Sequence, residues 1–149
     1  MTEPTSPGPL RLRAITKDDL DVIAALLQDA LLPMMDVAFQ PKENRFLAVA
    51  NRFRWENPPG LRERILCALQ FEQVRGVRVR GVDRTDRGKI LNLLSLIVKD
   101  GPEGQRITLV FAGGGEIELT IGGIDLTIED RGEPWPALST PNHDEPPTP

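Results

Sequence analysis

The residues best suited to chemistry lie in the stretch Asn51-Arg52-Phe53-Arg54-Trp55-Glu56. Read as a strand, it puts Asn51, Phe53 and Trp55 on one face and Arg52, Arg54 and Glu56 on the other. Arg78 and Arg80 sit in a second alternating run, Val74 to Val82. A guanidinium presents a planar fork of donors that fits phosphate or carboxylate bidentately. An aromatic ring beside it can stack a base. Asn51, Arg52, Arg54, Trp55, Arg78 and Arg80 are therefore the candidate ligand-binding residues. The competing reading makes Phe53 and Trp55 core residues and leaves the arginines solvated and paired with nearby Glu.

Other reactive groups are sparse. The one histidine, His143, falls in a proline-rich tail, where no rigid scaffold holds an imidazole for a catalytic dyad. The one cysteine, Cys67, lies between Leu66 and Ala68 and reads as a buried thiol. No Cys/His cluster suggests a metal, no cofactor is implied, and there is no tyrosine. Asp83 and Asp86 flank Arg84 and Arg87, which reads either as a carboxylate-based site or as a solvated loop. Gly113-Gly114-Gly115 is followed by Glu116 and strand alternation, not by Lys and a helix. It reads as a hairpin turn and not as a phosphate cradle. Trp135, between Pro134 and Pro136, reads as an aromatic that folds back over the domain or as a partner-binding motif.

These residues need elements to position them. Thr16 is a suitable N-cap with Asp19 at the fourth position of a capping box. Leu20, Ile23, Leu27, Ala30 and Leu31 then recur at helical spacing, predicting one amphipathic helix over 17–31, ended by Pro33. Leu10 to Ile15 alternates as a short first strand. Met34 to Gln40 and Arg45 to Trp55 flank the turn-like Pro41-Lys42-Glu43-Asn44 and predict a hairpin. Further strands are expected at 64–72, 74–82, 90–98, 107–111, 116–121 and 124–128. Val74-Arg75-Gly76-Val77 and Ile121-Gly122-Gly123-Ile124 echo each other at a constant offset. Two four-stranded units, 34–83 and 90–130, are one arrangement that would explain the echo.

Charge is uneven. Residues 52–89 carry 10 basic and 5 acidic side chains, whereas 90–149 carry 3 and 10, within a net charge of −4. The acidic total does not suit a bulk nucleic-acid binder. No apolar run approaches the roughly 18 residues of a bilayer-spanning helix. The Met-Thr-Glu-Pro start has no basic and apolar leader pattern. A cytoplasmic location is the expectation.

Several segments together resemble a known family. They are Leu26-Leu27-Gln28-Asp29-Ala30, Asn51 to Glu56, Arg80-Gly81-Val82-Asp83-Arg84, and Leu109-Val110-Phe111-Ala112 with the glycine triplet. The chain resembles an uncharacterised alphaproteobacterial domain-of-unknown-function family, number twenty-nine forty-eight, from about Leu10 to Trp135. The resemblance implies a small bacterial protein and brings no activity or catalytic residues.

The expectation is an α+β fold: about eight antiparallel strands, barrel-like or two-sheet, with one N-terminal amphipathic helix. Residues 1–9 are expected to be disordered, 10–133 to form one globular domain, and 134–149 to form a Pro-rich acidic tail. The function expected is a non-enzymatic binding or adaptor module, with a protein partner or a second copy of the chain. The alternatives are an RNA- or nucleotide-associated protein using an arginine-rich strand surface, and an enzyme with a carboxylate-based site.

Overall fold

A computed structural model describes residues 8–141. The sequence before residue 8, and the tail beyond 141 with His143, lie outside the described residues. Among the described residues there are ten strands and one α-helix. The strands are β1 (Arg11–Ala14), β2 (Leu31–Pro33), β3 (Val37–Gln40), β4 (Arg45–Phe53), β5 (Glu63–Phe71), β6 (Val74–Arg80), β7 (Ile90–Gly101), β8 (Gly104–Phe111), β9 (Glu116–Ile121) and β10 (Leu126–Pro136). The helix, α1, spans Lys17–Leu26.

All pairings are antiparallel. Hydrogen bonding runs along one path, β1-β10-β5-β4-β2-β7-β8-β9-β6, with β3 paired to β4 beside it. The path is open at β1 and β6, so the expected barrel does not close. A first arm (β1, β10, β5, β4, β3, β2) and a second arm (β7, β8, β9, β6) share one core. Phe46, Leu69, Phe71 and Ile128 enter it from the first arm, and Leu93, Leu109, Phe111, Ile117 and Leu119 from the second.

Local chemistry explains most boundaries. Thr16 accepts from the Asp19 N–H at 3.1 Å and Asp19 accepts back from the Thr16 N–H at 3.2 Å, closing the capping box. The helix stops at Leu26, five residues short of the expected end. Asp29 turns left-handed at φ +64°, and its N–H donates to Leu93 O at 2.8 Å. The sheet thereby claims Leu31–Pro33 as β2, which joins β4 to β7. Helical spacing alone could not exclude these apolar residues, and β2 raises the strand count above the expected eight. The glycine triplet is the β8–β9 turn, with Gly113 and Gly114 at φ +88° and +95°.

The expected four-stranded units do not form. β6 leaves its own segment to pair with β9, and β10 leaves its own to pair with β5. The echo marks where these two crossings run side by side. Phe71 faces Leu126 and Val74 faces Ile121. Between them the Glu72 N–H donates to Asp125 O at 2.8 Å and the Gly122 N–H to Gln73 O at 2.9 Å. A Cβ on Gly122 would meet the Arg75 guanidinium at 3.1 Å, close enough that this side chain would have to shift slightly.

β10 continues past the expected boundary at 133. Trp135 and Pro136 pair with Arg64 and Glu63 after a register shift. Trp135 is thus held as a strand residue, and the Ala137 N–H donates to Arg62 O at 3.0 Å.

Candidate functional site

The six candidate residues divide between two places. Asn51, Arg52, Arg54 and Trp55 gather at the end of β4. Arg78 and Arg80 lie on β6, at the far end of the sheet path. No single arginine surface spans both strands.

The β4 end is a buried ion network. Core-facing Phe46, Ala48 and Ala50 set the parity that Arg52 continues, so its side chain points inward and is 0% exposed. Arg52 Nε and Nη2 donate to Asp130 at 2.8 and 2.7 Å. Nη1 and Nη2 also donate to Glu56 at 2.9 and 2.7 Å. The chain turns beyond Phe53, which puts Arg54 inside as well, at 2% exposed. Arg54 Nη1 donates to Glu63 at 3.0 Å, and Glu63 also accepts from Asn57 Nδ2 at 3.0 Å. The expectation that these arginines are solvated is therefore corrected: they pair with nearby Glu, as the competing reading had it, but inside the fold.

Electrostatics here is settled inside the fold. Burial opposes the charge on Arg52, but the hydrogen bonds to Glu56 and Asp130 outweigh it and hold the guanidinium protonated more firmly than usual. Burial pushes the Asp130 and Glu56 carboxyls up, and the bonds from Arg52 pull both below the ordinary carboxylate range. Cys67, opposite Asp130 on β5, is pushed up to about 12, by burial first and then by the Asp130 charge. It is a buried thiol, as expected.

Asn51 and Trp55 are also engaged. Asn51 Oδ1 accepts from Arg64 Nε at 2.5 Å, and Arg64 Nη2 donates to Asp29 O at 3.0 Å. Trp55 Nε1 donates to Gln28 O at 3.0 Å, and its ring packs edge-on against Phe53 at 4.7 Å between centroids.

The second place is the outer face of the second arm. Register aligns Arg80 with Glu116 and Val110, and Arg78 with Glu118, Thr108 and Ile97. The next row aligns Thr120, Arg106 and Lys99. A groove of about 440 Å³ crosses this face, floored by Thr108 and Val110 and walled by Arg80, Glu116, Glu118, Arg106 and Lys99. Arg78 lines an adjoining hollow of about 170 Å³. The contacts here are loose. Arg80 Nη2 is 4.0 Å from Glu118, and Arg106 Nη1 is 3.7 Å from it. Arg106 Nη2 is also 3.8 Å from Glu103, and among the described residues neither arginine makes a hydrogen bond to a carboxylate. Sequence reasoning missed Lys99, Arg106, Glu116 and Glu118. The signal was their alternation with the buried Ile107, Leu109, Ile117 and Leu119.

Asp83 Oδ1 accepts from the Thr85 N–H and hydroxyl at 2.9 and 2.6 Å, which holds its carboxyl below the ordinary range. The Asp86 N–H donates to Asp83 O at 3.2 Å. This loop builds its own turn. Among the described residues no group of three or more His, Cys, Asp or Glu could hold a metal ion, and no helix is long and apolar enough to cross a membrane.

Fold and site together define a small, open, antiparallel-sheet domain with one capped helix and a buried arginine network. The chain matches the family model described as "Protein of unknown function (DUF2948)" over residues 10–143, and belongs to that family. No curated protein and no solved structure matches it.

Proposed function

We propose that this protein is a non-enzymatic binding module that receives a protein partner on the outer face of its second arm. One contrast carries the reading. Arg52 is closed by two carboxylates at 2.7–2.9 Å, whereas Arg80 and Arg106 stand 3.7–4.0 Å from Glu118 without a hydrogen bond to it. Arg78 has no hydrogen bond or ion pair among the described residues. Charged donors arranged around a groove and held only by long ion pairs, Arg106 also to Glu103 at 3.8 Å, can exchange them for acceptors on a partner. Glu116 and Glu118 in the middle of the face repel a phosphate backbone, which favours protein over nucleic acid.

A photo-reactive side chain in place of Ile97, which is 39% exposed on this face, tests the reading in cells. It is expected to yield a discrete adduct that disappears when Arg80 and Arg106 are both changed to Glu. The same label at Val49, on the outer face of the first arm, is expected to yield none. Adducts insensitive to the charge reversal, or no adduct at Ile97, overturn the proposal.

A further inference from the structure

β6 is the last strand of the second arm. Among the described residues no strand besides β9 hydrogen-bonds to it, although the Val74 N–H at its start donates to Asn44 O at 2.8 Å. A row of free backbone donors and acceptors is a template for one more strand. The register shift between Val74 and Gly76 leaves Val77 to Arg80 as the regular part of that edge, paired to Leu119 through Glu116. Alternation along it is complete. Arg78 and Arg80 are exposed on the outer face, and Val77 and Val79 are half-buried toward the core.

We infer that β6 accepts an extended segment of a partner protein in which acidic and apolar residues alternate. The inference rests on the binding-module reading and names the partner's chemistry. An added strand would lie about 4.8 Å from β6, which puts its acidic side chains directly beside Arg78 and Arg80. Glu116 and Glu118 are one strand further off, at roughly 10 Å. Across the sheet the order becomes acid, arginine, acid. The partner's apolar residues would cover Val77 and Val79 at the rim of the core.

The same charges define what β6 refuses. A second copy of β6 laid against the first would oppose arginine to arginine, and directly opposed like charges destabilise a strand pair. The edge is guarded against its own kind and open to an acidic strand.

The experiment uses the full chain and a fluorescein-labelled peptide, Val-Glu-Val-Glu-Val-Glu-Val. Anisotropy is expected to show saturable binding that weakens as salt is raised. The Lys-for-Glu peptide, a peptide with the same residues in blocks, and one N-methylated on alternate amides are expected to bind at least tenfold more weakly. Arg78→Glu with Arg80→Glu is expected to lower the affinity at least tenfold. Arg78→Gln with Arg80→Gln gives an intermediate loss at unchanged thermal midpoint, which separates recognition from folding. Amide exchange is expected to slow at 77–80 on binding. Equal binding of the Lys peptide, an affinity within twofold after charge reversal, or protection confined to other strands overturns the inference. Charge-dependent adducts at Ile97 without peptide binding overturn strand addition alone. Loss of both overturns the underlying reading.

Discussion

Arg52 and Asp130, 78 positions apart in the chain, meet in the core through two hydrogen bonds of 2.8 and 2.7 Å. Asp130 also accepts from the Leu10 N–H at 2.9 Å. One guanidinium therefore fastens β4 to β10, and through Asp130 to the start of the described chain. Glu56 supplies a second carboxylate four residues along.

Removing Arg52 leaves the fully buried Asp130 carboxylate without its cation, whereas Glu56, 15% exposed, keeps Arg54 at 3.5 Å. Arg52→Met is expected to destabilise the fold by about 3–5 kcal/mol, measured by urea unfolding. Adding Asp130→Leu is expected to recover part of that loss, because the orphaned charge goes with it. A single-variant loss below about 1 kcal/mol would contradict the role given to the pair.

The pH dependence follows from the carboxyl shifts. Asp130 and Glu56 are held below the ordinary range when folded. Their contribution is present above the unfolded value of about 4 and is lost as pH falls through the folded one. Urea midpoints are expected to decline below about pH 4–5. In Arg52→Met the sign reverses at Asp130, because a buried carboxylate without a counter-charge titrates high, while Glu56 keeps Arg54. That variant gains stability as pH falls from about 7 toward 5. A variant that keeps the parent's pH profile contradicts the assignment.

Cys67, pushed up to about 12, stays a thiol at neutral pH. The thiolate is the reactive form, so native protein is expected to resist Ellman's reagent at pH 8 and to react only as fast as it unfolds. Because the folded value is raised, the group's contribution is full below its unfolded value near 9. It is lost as pH climbs toward about 12. Rapid labelling at full native signal would refute burial as the cause.

The β8–β9 turn depends on backbone that side chains disfavour. Gly114 at φ +95° has open space around it, so conformation and not a clash sets the cost of Gly114→Ala. A loss of about 1–2 kcal/mol is expected by thermal or chemical unfolding. Unchanged stability would mean the turn relaxes freely.

Thr16 closes the capping box at the start of α1. Thr16→Ala is expected to cost about 1 kcal/mol, read as a drop in the unfolding midpoint with the exposed-surface slope unchanged. A change in that slope instead would point to altered compactness.

The sequence by itself determined the elements whose signals are local. The capping box at Thr16 and Asp19, the turn at Gly113–Gly115, and the period-two runs of β5 and β9 each depend on residues a few positions apart. The buried state of Cys67 followed from its apolar neighbours. Tertiary structure decided which face of β4 looks inward. Leu47 and Val49 on one face are as apolar as Ala48 and Ala50 on the other, so alternation set the parity of Arg52 without setting its side. The inward choice requires Asp130, and no local spacing reveals a carboxylate brought from β10. The same holds for the exchange of β6 and β10 between arms and for β2, where Leu31 fits a helix face until β4 and β7 bond to its backbone. Local pattern fixes what a segment can pair with. Only the closed core, by excluding water from Arg52 and leaving Arg78 and Arg80 outside, fixes which charges are spent within the fold and which stay exposed.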